Sequence, residues 1–238
     1  MLEGLLIIAF LPSLIKILAA VLPAVYLLRY VNQTDRLEPE PPGLLKALVG
    51  AGMLSTLIAI VLEFAGEAIL RLLLNEDSIL FNVLLYFIVV ALSEEGAKYV
   101  FLKRKTWNSA EFNCQYDGVV YAVFISLGFA LLENIEYVFI YGMSTALLRA
   151  LTAIPGHACF SVYMGVFYGA AKRAENVGQG ATGSILRKLA VLVPAVIHGA
   201  YDYIATVSQS VAFIVFVGVL FYLTFRLIKR SAEHDRGI

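Results

Sequence analysis

Of the 238 residues, 60% are hydrophobic and only 15% charged, and the mean hydropathy is +0.81. A soluble domain of this length has too little interior for so much apolar side chain, and about a quarter of an ordinary soluble chain is charged, so lipid is the solvent for most of this one. That excludes a secreted enzyme, a nucleic-acid-binding module and a disulfide scaffold. The 18 basic and 18 acidic residues cancel, and Cys114 and Cys159 are the only cysteines.

A helix needs roughly 20 mostly apolar residues to cross a bilayer. Seven such stretches are predicted, at 5–30, 44–62, 79–102, 118–141, 146–171, 186–207 and 211–228. The expected fold class is all-α: a polytopic membrane bundle of six to eight helices forming one domain, 1–238, with the motif-bearing core at 79–207. The N-terminal stretch has no basic start and no clear cleavage site, so it reads as a retained span. Pro12 and Pro23 predict a kink or break in the first span. The second is expected to run on toward Leu74, because Glu63, Glu67 and Arg71 recur every four residues and can pair along one face. Pro155 is expected to bend the fifth. The segment 175–184 is polar and contains Gly178, Gly180 and Gly183, the composition of a flexible linker. Gly165 and Gly169 have the spacing of close helix packing.

Lysine and arginine counts in the connections set the expected orientation. The first connection holds Arg29, Arg36 and Lys46, and the third Lys103, Arg104 and Lys105. The fifth holds Lys172, Arg173, Arg187 and Lys188, and the tail Arg226, Lys229, Arg230 and Arg236. The other connections hold only Arg71 and Arg149. The N-terminus is therefore expected outside and the C-terminus in the cytoplasm. Cys114 then meets a reducing compartment, which argues against a disulfide.

Within the apolar spans sit Glu94, Glu95 and Lys98 in the third, Glu133 and Asn134 in the fourth, His157 in the fifth, and His198 and Asp202 in the sixth. An ionisable group at mid-bilayer costs at least about 2.5–3.5 kcal/mol. At about 1.5 Å per residue, Glu94 lies roughly 13 Å from the Lys103 end. His157 lies roughly 22 Å from Lys172 and His198 roughly 15 Å from Lys188. Each group alone has a structural reading, as a neutralising pair, interhelical glue or a packing histidine. Four helices carrying such groups at one depth point instead to one buried polar cluster. Glu94 and Lys98 share a helix face, as do His198 and Asp202, each being four residues apart. His234, in the charged tail, is expected to be solvated.

Such a cluster suits hydrolysis. A carboxylate in low dielectric becomes a competent base. Glu133, His157, His198 and Asp202 are of the types that bind zinc and leave a position for water. No HExxH or GxSxG element is present, and Asp117, the other Tyr-Asp aspartate, sits near the basic end, away from Asp202. A proton- or metal-coupled transporter and a non-catalytic membrane scaffold remain as alternatives on the residues alone.

The ordered set Glu94-Glu95-x-x-Lys98, Phe129-x-x-x-Glu133-Asn134, Gly156-His157 and His198-x-x-x-Asp202 resembles the PrsW family over about half the chain, 79–203. More distantly it resembles the CAAX prenyl-endopeptidase and bacteriocin-immunity superfamily, which carries histidine where Glu133 stands. The resemblance implies a protease of the bacterial plasma membrane whose substrate is a membrane-anchored protein such as an anti-sigma factor. That factor would be cut at site 1 of a regulated intramembrane proteolysis cascade, with no nucleic-acid partner. It implies Glu94 or Glu95 as general base, with Lys98 and Asp202 completing the catalytic set. Glu133, His157 and His198 would be ligands of a zinc cofactor; without metal, the two histidines would donate to the oxyanion.

Overall fold

The computed structural model describes residues 2–35, 39–207 and 210–238. Met1 and Arg36, which entered the N-terminal and charge readings, lie outside them. Helices follow in the order α1 (Leu2–Thr34), α2 (Pro42–Leu73), α3 (Ile79–Leu84), a π-helical segment (Leu85–Ala91), α4 (Leu92–Thr106), α5 (Asp117–Tyr141), α6 (Met143–Leu151), α7 (Ala153–Asn176), α8 (Gly180–Val207) and α9 (Ser210–Glu233). Among the described residues there is no strand. Six helical units among the described residues are long and apolar enough to cross a membrane, α3 to α4 counting as one and α6 with α7 as another. They take in six of the seven expected spans, and the first falls within α1. Large apolar side chains such as Leu57, Val61, Leu72 and Ile214 are exposed on the outside of the bundle, where hydrocarbon would meet them.

The basic connections gather at one end. Glu40, before α2, meets Tyr121 in the first turns of α5. Lys172 donates to the Trp107 carbonyl at 2.8 Å. The C-terminal tail docks on the same connection: Asp235 accepts from the Tyr116 amide, and the amides of Gln115 and Ile238 pair with the carbonyls of Arg236 and Asn113. The first, third and fifth connections and the tail thus share one end, as expected of alternating spans.

Helix α5 is the axis of the bundle, packed by α1, α2 and α7 and buried along most of its length. Glycine makes this possible. Gly165 and Gly169 of α7 press against the backbone of Val119 and Gln115, and Gly52 and Gly128 let α2 cross α5 with no room for a β-carbon on either. The close packing expected of the first pair is what the structure has.

Two irregularities place the functional side chains. The π-helical turn adds a residue per bond ring immediately before Glu94, which resets the phase of Glu94, Glu95 and Lys98 relative to α3. Phe87 and Val89 of this turn fill the notches left by Gly199 of α8 and Gly66 of α2. The second is the break at Thr152 (φ −124°, ψ −64°) between α6 and α7. Pro155 follows in the first turn of α7, where the missing N–H has no intrahelical partner to lose. The bend in the fifth span therefore precedes the proline.

Three expectations are corrected. Helix α1 runs through positions 12 and 23 as one element, so the first span is not broken there. Only Val177–Gln179 separates α7 from α8, because the polar residues on either side continue the helices and Glu175 pairs with Arg187. The Glu63 row divides: Arg71 pairs with Glu67 at 2.7 Å and Glu76 at 2.9 Å, while Glu63 faces a cavity. Both cysteines are buried, and neither is in a disulfide.

Candidate active site

The polar residues of four spans meet around Lys98. Its ammonium, fully buried, donates to Glu94 Oε2 at 3.0 Å and Glu95 Oε1 at 2.8 Å, and reaches His157 Nδ1 at 3.1 Å. All three of its hydrogens are thereby used. Because His157 Nδ1 accepts, its Nε2–H is left to donate to Glu133 Oε2, 2.8 Å away. His198 turns the same way: Nδ1 lies 3.1 Å from Glu95 Oε1 and 3.9 Å from Glu94 Oε2, and Nε2 lies 3.2 Å from Asp202. The expected i,i+4 pairs are both present. Phe129 closes the floor 4.0 Å under the Lys98 ammonium, and Phe160 stacks on His198 at 4.6 Å. The four-residue step from Phe129 to Glu133 puts the floor and the carboxylate on one face of α5.

These groups form the wall of a cavity of about 470 Å³, lined among others by Glu94, Glu133, His157, His198 and Asp202. Glu95 and Lys98, at 0% exposure, lie behind the wall. The adjacent glutamates therefore differ: Glu94 opens on the cavity, and Glu95 is held between Lys98 and His198. The rim comes from Glu63 and Glu67 late in α2, Glu136 late in α5, and Ala205 and Thr206 late in α8. All three helices begin at the basic end, so the cavity opens toward the other.

The donor set fits a divalent metal in kind. Glu94, Glu95, His157 and His198 each offer an atom within 4.8 Å of the others, and two carboxylates with two imidazoles suit zinc. Both histidines turn Nδ1 inward and give Nε2 to an outer carboxylate, Glu133 or Asp202, the usual support of metal-bound imidazole. Glu95 Oε2 is buried with no hydrogen-bond partner. The Lys98 ammonium draws on three of the same donors, so an ion and this cation compete for them. Glu133, expected as a ligand, stands on the outer side of His157.

Residues 40–228 match the family described as PrsW family intramembrane metalloprotease. This chain belongs to the PrsW family. Relatives named Protease PrsW include those of Oceanobacillus iheyensis (32% identical, covering 91% of this chain and 95% of the relative) and Geobacillus kaustophilus (31%, 92% of each). The Bacillus subtilis protein is 30% identical over 92% of this chain and 95% of its own length. No solved structure matches. The PrsW match extends beyond 79–203 at both ends. The protein is thus a membrane-bound peptidase, a multi-pass protein of the bacterial cell membrane.

Two residues of the site escape sequence reasoning. Arg149, counted only as a connection charge, pairs with Glu133 at 2.8 Å, donates to Asn134 Oδ1 at 3.2 Å and lies 3.9 Å over the Tyr137 ring. The break at Thr152 brings it there, and no local pattern marks that fold-back. Glu63 is the other, its direction set by the α2–α5 crossing.

Asp117 lies elsewhere, sixteen residues or about 24 Å along α5 from Glu133. Its carboxylate groups with those of Asp35 and Glu40 within 4.8 Å. Burial pushes the Glu40 carboxyl up from about 4.5 to about 8, opposed by its bond with Tyr121. The Tyr121 hydroxyl lies 2.8 Å from Glu40 Oε2 and 2.9 Å from the Glu111 carbonyl. One hydrogen cannot serve both acceptors, so a protonated Glu40 that donates to Tyr121 satisfies the set.

Proposed function

We propose that this peptidase hydrolyses a membrane-anchored protein substrate with Glu94 as the general base. The substrate class is that of an anti-sigma factor cut at site 1. The observation that carries the reading is that Glu94 alone of the glutamate pair opens on a cavity walled by the histidines. Basic connections face the cytoplasm, so the cavity opens outward, and a substrate anchored by one span presents its outer end to it.

Water beside Glu94 gives its proton to the carboxylate and attacks the scissile carbonyl. The proton then passes to the leaving amine. Lys98, 3.0 Å from Glu94, is the counter-charge of that carboxylate. Glu133 and Asp202 fix His157 and His198 from outside, and the buried Lys98 ammonium, its hydrogens already engaged, acts on the oxyanion through its positive charge alone. Zinc would be held by Glu95, His157 and His198 in place of their contacts with Lys98, with Glu133 and Asp202 orienting the imidazoles. When bound, zinc polarises the carbonyl and acidifies water.

The test is co-expression with an anti-sigma-type single-span reporter tagged at both ends. Glu94→Gln is expected to leave the reporter whole at normal enzyme level. Purified wild-type protein is expected to hold one zinc, lost on His157→Ala. Cleavage by Glu94→Gln refutes the base assignment, and active protein free of metal refutes the zinc assignment.

A further inference from the structure

Resting on the peptidase reading, we infer that the cavity selects a substrate segment bearing a lysine or arginine close to the scissile bond, and that Glu63 receives that cation. The other carboxylates around the cavity, Glu136 apart, each have a partner: Glu94 and Glu95 share Lys98, Glu133 has Arg149, Asp202 has His198, and Glu67 has Arg71. Glu63 lines the same cavity and makes no ion pair among the described residues. Glu136, on the rim, is a second carboxyl group with no ion pair among the described residues. The cavity therefore holds two acidic groups near the reacting centre that no cation among the described residues meets.

In the open cavity, water solvates Glu63. A peptide that enters displaces this water, and a carboxylate stranded in a membrane-embedded site is costly unless a cation meets it. Opposite a neutral residue Glu63 must take up a proton or bear that cost, and an acidic residue offers it no ion pair. Selection by a charge that only the right partner satisfies is stronger than selection by apolar fit. The walls suit the stem of such a side chain: Phe64, Tyr86 and Tyr137 line the cavity, and long basic residues lay their methylenes along such surfaces while the head group finds its partner.

The probe is a set of synthetic transmembrane peptides. Each has a Leu/Ala core of about 20 residues and uncharged flanks, with Lys, Gln or Glu placed in turn at each position of one half. Full-length protein in detergent is assayed for cleavage by mass spectrometry. Binding is measured separately on the Glu94→Gln variant. The Lys peptide is expected to exceed its Gln counterpart by about tenfold or more in kcat/KM and in affinity at one or two adjacent positions. Glu63→Gln brings the Lys-to-Gln ratio toward one, and Glu63→Lys shifts preference to the Glu peptide, which a structural role for Glu63 would not do. Equal cleavage of Lys and Gln peptides, or an unchanged ratio in Glu63→Gln, overturns the inference while the peptidase reading stands. A binding preference that depends on Glu63 but comes with no cleavage by wild-type protein supports the charge selection and overturns hydrolysis at this site.

Discussion

Replacing Lys98 by methionine keeps the length of the side chain and removes its charge from the centre of the cluster. In the wild type, the ammonium bonds Glu94 and Glu95 at 3.0 and 2.8 Å and His157 at 3.1 Å, with no exposure to solvent. Glu95 is equally buried, so Lys98→Met leaves it facing only His198. Breaking a buried ion pair from one side costs about 3–5 kcal/mol. At about 2–4 °C per kcal/mol for a chain of this size, Tm falls by roughly 6–20 °C. The assay is thermal unfolding in detergent at pH 7 with chelator, so that no added cation takes the place of the ammonium. The double variant Lys98→Met/Glu95→Gln removes the stranded charge together with its partner and recovers most of the loss. A single variant within about 1 °C of wild type, or a double variant no more stable than the single, would refute the view that Lys98 is the counter-charge on which the cluster depends.

Three further outcomes follow from the same geometry. Glu94→Gln lowers cleavage at least about a hundredfold with little change in Tm, whereas Glu95→Gln lowers Tm as well as zinc content and cleavage; a Glu94→Gln variant as destabilised as Glu95→Gln would contradict their separation by the cavity wall. Gly165→Leu drives a side chain into the Val119 backbone, so the protein fails to accumulate or melts far below wild type, as read by fluorescence-detected gel filtration; normal yield and Tm would show that α5 and α7 are not in contact there. The raised carboxyl of Glu40 makes the folded state the better proton acceptor between about 4.5 and 8, so its contribution to stability is complete below pH 4.5 and lost as pH rises through 8. Glu40→Gln flattens this part of the Tm–pH curve, and an unaltered curve would refute the assignment.

How much of this was legible in the sequence depended on periodicity and range. The spans stood out because about 20 apolar residues are hard to disguise. The pairs Glu94–Lys98 and His198–Asp202 followed from the helix repeat. Convergence of Glu94, His157 and His198 was foreshadowed by their common depth, since α-helical rise converts sequence distance into height. What could not be read was azimuth. Rotation of Glu63 into the cavity depends on where Gly52 and Gly128 let α2 cross α5, and that is a long-range packing fact. Arg149 reaches Glu133 only because the helix breaks at Thr152. The π-helical turn that turns Glu94 toward the cavity and Glu95 away from it has no composition of its own. The glycines of 175–184 looked like a linker because helix-compatible glycine at a close contact, as Gly183 is against Glu175, has the same letters as a flexible one.

The central claim is that water activated at Glu94 cleaves a peptide bond inside the membrane domain. It is tested most directly by single-turnover cleavage of a transmembrane peptide in ¹⁸O-labelled water, using purified wild-type and Glu94→Gln proteins of equal Tm. Wild-type protein is predicted to give a product whose new C-terminal carboxylate carries one ¹⁸O, and Glu94→Gln to give none. Labelled product formed at the wild-type rate by Glu94→Gln would contradict the account.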